Sequence, residues 1–132
     1  MEAGSLADIP VSQAMRHGVL TCQAETSLRV IARMMAENRI HSVVVTNLDG
    51  VSETAWGIVS DIDVLRSVGE DPDERTASDI AGTELLTVEP AESLQRAAQL
   101  MAEHEVTHVV VVAGQRPVGV LSSLDIAESL AG

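Results

Sequence analysis

The sequence predicts an α/β fold made of two successive β-α-β-β-α repeats, and three observations carry that reading. First, short segments recur at one spacing of 66 residues: Leu20-Thr21 with Leu86-Thr87, Ser27-Leu28 with Ser93-Leu94, and Met35-Ala36-Glu37 with Met101-Ala102-Glu103. Second, each copy contains a β-branched run, Val43-Val44-Val45-Thr46 and Val109-Val110-Val111-Val112, too short and too branched for a helix. Third, each copy closes on Gly-apolar-apolar-Ser-x-x-Asp, as Gly57-Ile58-Val59-Ser60-Asp61-Ile62-Asp63 and Gly119-Val120-Leu121-Ser122-Ser123-Leu124-Asp125. This last match falls at a spacing of 62, because the first copy has the longer loop before it. A unit of about sixty residues holds only a marginal core alone, so the copies are expected to pack on each other, with clefts between them and sites in pairs.

The elements follow in order. After a loose leader over residues 1–9, Pro10 to Met15 reads as a short helix with Pro near its start. Val19 to Cys22 reads as a short strand. From Ser27, an N-cap residue, Leu28, Ile31, Ala32 and Met35 fall at i, i+3, i+4 and i+7, one stripe of a helix. Leu94, Ala97, Ala98 and Met101 repeat the stripe. The Val-rich runs are apolar throughout, as strands covered on both faces are. Asn47 to Thr54 and Ala113 to Pro117 read as turn-rich connections, Trp56 to Ser60 and Val118 to Ser122 as the next strands, and Ile62 to Val68 and Leu124 to Leu130 as closing helices. The domain reading is repeat 1 over 10–68, a polar linker over 69–75 and repeat 2 over 76–131.

Composition excludes several functions. The chain has 132 residues, 45% of them apolar, so it supports a real core, and Trp56 is its one aromatic residue. No aromatic platform for stacking bases exists. Net charge is −12, and all eight basic residues are Arg, so nucleic acid is repelled. Without lysine there is no P-loop lysine, Schiff base or Ser-Lys dyad. The single Cys22 excludes an internal disulfide. The N-terminus has no signal-peptide pattern and no segment is long enough to span a bilayer, so a cytoplasmic protein without a membrane partner is expected.

The doubled Ser-x-x-Asp segments admit two readings. A Ser ending a strand at a helix start lies among free N–H groups that favour a phosphate, and the Asp one turn later can accept from two ribose hydroxyls. The same spacing is also nearly a capping box, in which the Asp bonds the N-cap N–H and no ligand is needed.

The element order and the paired Gly-x-x-Ser-x-x-Asp segments resemble the cystathionine β-synthase (CBS) domain family, here as one tandem pair, a Bateman module, over nearly the whole chain. The resemblance implies an adenosyl ligand, AMP, ADP, ATP, S-adenosylmethionine or NAD, bound between the copies. The family's phosphate-side hydroxyl maps onto Ser60 and Ser122, its ribose carboxylate onto Asp63 and Asp125, its base-contacting position onto Thr21 and Thr87, and apolar walls onto Val44 and Val110. Arg16, beside His17 and the opening strand of copy one, is the expected phosphate-side cation, and copy two has Gly82-Thr83 in that place. Copy one is therefore expected to prefer the more phosphorylated ligand.

Two segments look enzymatic. His104-Glu105-Val106-Thr107-His108 matches His-Glu-x-x-His, but it runs straight into the Val-rich strand, and copy one has Asn38-Arg39-Ile40-His41-Ser42 there. Asp61-Ile62-Asp63 resembles a phosphatase Asp-x-Asp, but copy two has Ser123 at the first position and no lysine is present. The resulting expectation is a regulatory ligand sensor with no catalytic residues, no resident metal and no required cofactor, forming a homodimer and addressing a possible effector protein. The alternative is a ligand-free dimerisation or interaction scaffold in which the Ser-x-x-Asp segments only cap helices.

Overall fold

Serine begins both long helices, and for the same reason. Ser27 accepts a hydrogen bond from the Val30 N–H at 3.2 Å and opens α2 (Leu28–Asn38); Ser93 accepts from Arg96 N–H at 3.1 Å and opens α5 (Leu94–His104). Both helices stop on a residue in the left-handed region, Arg39 (φ 52°) and Glu105 (φ 55°). The chain then closes with bonds from Ile40 N–H to Met35 O and Val106 N–H to Met101 O. A computed structural model gives these features and describes residues 5–49, 52–82 and 84–132.

The chain forms two compact units, Leu20–Leu85 and the combination of the stretch before Leu20 with Leu86–Gly132. The first contains β2 (Thr21–Cys22), α2, β3 (Ser42–Asp49), β4 (Ser52–Ser60), α3 (Asp61–Arg66) and α4 (Ala77–Ile80). Its sheet order is β2-β3-β4, parallel then antiparallel. The second contains a 3₁₀ turn (Leu6–Asp8), α1 (Val11–Ala14), β1 (Arg16–His17), β5 (Thr87–Val88), α5, β6 (His108–Ala113), β7 (Arg116–Ser122) and α6 (Ser123–Ala131). Its sheet order is β1-β7-β6-β5. The β-α-β-β-α repeat of the sequence is thus present twice.

Each short leading helix is built into the unit of the other copy. Val11 N–H bonds Glu92 O, Ser12 N–H bonds Pro90 O, and Leu94 N–H bonds Ile9 O. At the 66-residue spacing, Ala77 N–H bonds Thr26 O, Ser78 N–H bonds Ala24 O, and Leu28 N–H bonds Arg75 O.

Strand alternation decides the core. Val43, Val45 and Val59 pack with Cys22, Leu28, Ile31, Ala77 and Ile80; Val88, Val109, Val111 and Leu121 pack with Val11, Met15, Leu94, Ala97 and Met101. The intervening residues Val44, Ile58 and Val110 belong to the opposite sheet faces and are also buried, so these strands are covered on both sides.

Two segments differ from the sequence reading, and the polar linker shows contacts of its own. Within Asn47 to Thr54, residues 50 and 51 lie outside the described residues and the rest is strand: β3 and β4 stay paired out to Asp49↔Ser52, beyond a bulge at Val45/Thr46 that recurs at Val111/Val112. Thr46 Oγ1 donates to Glu53 Oε2 at 3.1 Å, a cross-strand bond that holds the polar hairpin extended. The β1 strand was not anticipated. Residues 69–75 fold back on α2: Arg29 N–H bonds Pro72 O, the Arg29 guanidinium forks onto the Asp73 carboxylate at 2.6 and 3.1 Å, and Asp71 closes a turn by accepting from Asp73 N–H.

Candidate functional site

The ladders align the predicted residues in rows. In the Leu20–Leu85 unit, Thr21 pairs with Val44 and Val44 with Ile58. In the other unit the row is one strand longer: Thr87 pairs with Val110, Val110 with Val120, and Val120 with Arg16. Directly paired residues project to one face, and a side chain two positions along a strand shares it. Ser60, two beyond Ile58, and Ser122, two beyond Val120, therefore stand on the same faces as the rows. Across four strands the longer row spans about 14 Å at the usual strand spacing.

Arg16 lies in the same sheet as Ser122. The sequence reading set Arg16-His17 beside the first copy because Thr21 follows so closely. The structure instead pairs Arg16 with Val120 and His17 with Gly119, in the sheet of the second copy. The His17 ring lies 3.1 Å from Ser12 O.

Each Ser-x-x-Asp segment starts a helix as a capping box. Asp63 Oδ2 accepts from Ser60 N–H at 2.8 Å and Ser60 Oγ at 3.1 Å; Asp125 Oδ2 accepts from Ser122 N–H at 2.8 Å and Ser122 Oγ at 3.0 Å. The box occurs a third time, at Thr76-Ala77-Ser78-Asp79, where Asp79 Oδ2 accepts from Thr76 N–H at 3.0 Å and Oγ1 at 3.2 Å. The two site carboxylates differ in access: Asp63 is 2% exposed, whereas Asp125 is half-buried. Gly82 lies over Asp63, with its missing β-carbon only 3.3 Å from Oδ1.

The surroundings of the two threonines also differ. Thr21 Oγ1 donates to Glu53 Oε2 at 3.2 Å, the oxygen that also takes Thr46. Thr87 is exposed and opens on a groove of about 370 Å³ lined by Val88, Glu89, Glu92, Arg96 and Leu100. Sequence reasoning missed both Glu53 and Arg96. Arg96 sits two residues past Leu94, on the polar flank of the helical stripe, and that position was the available signal for it.

The enzyme-like segments do not assemble. His104 ends α5, Glu105 is left-handed, and His108 begins β6 and is buried, so the two imidazoles do not lie on successive turns of one helix. Asp61 is exposed and lies 3.3 Å from His41 Nδ1, and its neighbour Asp63 is the buried cap. Burial pushes the Cys22 thiol up to about 11, which leaves it a neutral core group at physiological pH. Among the described residues no three His, Cys, Asp or Glu side chains are grouped to hold a metal ion, and no helix is long and apolar enough to cross a membrane.

A tandem of two like units, each closing on a strand-to-helix Ser-x-x-Asp turn, defines a class of protein, and comparison with known proteins gives the class its name. A sequence model of the CBS domain matches residues 8–70 and 77–132. The chain belongs to the CBS domain family. It is 29% identical over 119 residues to hypoxic response protein 1 of Mycobacterium tuberculosis, covering 88% of this chain and 81% of that protein. It is 27% identical over 139 residues to an uncharacterised protein of Methanocaldococcus jannaschii, MJ1404, covering 94% of this chain but only 32% of that protein, so it spans about a third of that relative's length. Among solved structures it resembles hypoxic response protein I with two coordinated zinc ions, at TM-score 0.75 and 26% identity, covering 90% of this chain and 97% of that one. The CBS domain pair of protein MJ0100, in complex with 5′-methylthioadenosine and S-adenosyl-L-methionine, shares the fold at TM-score 0.82 and 20% identity, covering 93% and 96%.

Proposed function

We propose that the chain is a regulatory module that binds an adenosyl ligand, AMP, ADP, ATP or S-adenosylmethionine, and reports occupancy by a change of shape or assembly. The observation that carries this reading is the alignment of Thr87, Val110 and Arg16 on one sheet row, with Ser122 on the same face and Asp125 one turn beyond it. In this reading Thr21 and Thr87 meet the base through their backbone, Val44 and Val110 wall it, Asp63 and Asp125 face the ribose, and Ser60, Ser122 and Arg16 face the phosphates. The methylthioadenosine and S-adenosylmethionine bound by the MJ0100 domain pair support an adenosyl ligand.

No catalytic group is assigned, and the ligand acts by favouring the arrangement it contacts better. The reading includes a homodimer in the cytoplasm. Leu65 and Val68 around the end of α3 are 64% and 77% exposed, and Leu124 and Leu130 on α6 are 61% and 67% exposed, so each unit by itself offers apolar residues suited to a second copy. A net charge of −12 argues against nucleic acid as the partner.

One observation favours a second reading. The carboxylates already satisfy their capping boxes without a ligand, as a dimerisation scaffold addressing an effector protein would require. Isothermal titration with AMP, ADP, ATP, NAD and S-adenosylmethionine separates the two: saturable heat with any of them supports the sensor, and none with all five supports the scaffold.

A further inference from the structure

We infer that the chain takes one adenosyl ligand, on the face carrying Thr87, Val110, Arg16 and Asp125, and that Asp63 is a structural cap. The inference rests on the adenosyl reading above and narrows it from two sites to one. A ribose diol needs a carboxylate it can approach to about 2.7 Å. Asp63 is 2% exposed; its Oδ2 holds the Ser60 N–H and hydroxyl, and the Gly82 backbone stands against Oδ1. At 2% exposure that carboxylate is closed to a ligand unless the surrounding chain moves. Asp125, with the same bonds to Ser122, is half-buried and open to a diol.

Carboxylates stand beside both threonines, Glu53 bonded to Thr21 and Thr46 in one copy and Glu89 and Glu92 around the groove at Thr87 in the other. It is therefore the cations, Arg96 in that groove and Arg16 on the row, that divide the faces in the same sense. The other copy has the neutral Val112 at the position of Thr46. On the opposite side of the row, Arg16 supplies a cation directly across from Val120 and diagonal to Ser122. Among the described residues Arg16 has no ion pair, and its counterpart at the 66-residue spacing is the uncharged Gly82. Phosphate tolerance therefore belongs to the second copy, the reverse of the sequence expectation.

The test is the titration stoichiometry of the full chain with AMP and ATP, in the wild type and in Asp63→Asn, Asp125→Asn and Arg16→Ala. Asn retains an acceptor for the capped N–H, and thermal unfolding confirms that each variant is folded. One ligand per chain is expected, retained in Asp63→Asn and weakened about ten- to a hundredfold in Asp125→Asn. Arg16→Ala should weaken ATP about tenfold and AMP less. Two equivalent ligands per chain, or an Asp63→Asn loss as large as that of Asp125→Asn, overturns the inference while leaving the adenosyl reading standing. No binding of AMP, ADP, ATP, NAD or S-adenosylmethionine by the wild type overturns both.

Discussion

The carbonyl oxygen of Arg16 lies 2.7 Å from the point where Gly119 would carry a β-carbon, and Met15 Sδ lies 2.6 Å from the same point. Glycine at 119 is what lets β1 lie against β7. Its repeat partner Gly57 is under no such demand: the nearest atoms to a β-carbon there belong to Val45 and Ala81, at 3.7 to 3.9 Å. Two glycines at equivalent places in the repeat are therefore needed to different degrees.

Gly119→Ala should cost about 1–3 kcal/mol, the usual range for forcing a methyl group into a filled site. Gly57→Ala, in ordinary contact and at a φ any residue adopts, should change stability by no more than about 0.5 kcal/mol. Urea unfolding of both variants checks this. Equal losses would mean that β1 is not bound to β7 as described.

The capping boxes should rank by burial. Asp63→Ala strands the buried Ser60 N–H and should cost about 1–3 kcal/mol in ligand-free protein. Asp79→Ala leaves Thr76 N–H open to water and should cost about 0.5–1 kcal/mol. Urea midpoints of the two variants measured without nucleotide give the order, and the reverse order would remove Asp63 as the structural cap.

The repeat made the fold legible because each element is announced locally: Ser27 and Ser93 by capping, Leu28 to Met35 by helical spacing, Val43 to Thr46 by β-branching. The β1 strand was not legible. Two residues carry no periodicity, and their partners Gly119 and Val120 lie some hundred residues away, so only the folded chain shows that Arg16 joins the sheet of the second copy. The strand ends Asn47–Asp49 and Ser52–Thr54 escaped the sequence for a related reason, since turn-prone residues there pair across the ladder beside the Thr46–Glu53 bond. The rows at Thr21 and Thr87 followed from the resemblance once the strands were correctly placed. The unequal burial of Asp63 and Asp125 was not legible either, because the approach of Gly82 to a carboxylate nineteen residues earlier leaves no sequence signal. One clue was readable: Thr76-Ala77-Ser78-Asp79 repeats the Ser/Thr-x-x-Asp spacing where no ligand role was suspected, which points to capping.

Both long helices end on a residue other than glycine in the left-handed region, Arg39 and Glu105. That conformation costs an L-residue about 1 kcal/mol that glycine does not bear. Glu105→Gly and Arg39→Gly should each raise stability by about 0.5 kcal/mol, the remainder being lost to the greater freedom of glycine in the unfolded chain. Thermal unfolding of the single and double variants tests this, and their effects should add, because the two sites lie in different units. A loss of stability in either variant would contradict the left-handed cap.

Cys22 gives the chain a defined alkaline limit. Its thiol sits in the core with Leu28, Ile31, Val43 and Val45, and burial raises it from the ordinary 9.0 to about 11. Below pH 9 the thiol is neutral in both folded and unfolded chains, so its contribution to stability is present in full. As pH climbs from 9 toward 11 the unfolded chain ionises first, so stability falls by up to about 1.4 kcal/mol per pH unit, and the contribution is gone above the folded value. Urea unfolding at pH 8, 9 and 10 should show this fall, and Cys22→Ala should flatten it at the cost of a small cavity. Iodoacetamide at pH 8 should label the native thiol far more slowly than the urea-unfolded one, since only the thiolate reacts. Equal labelling rates would place Cys22 outside the core.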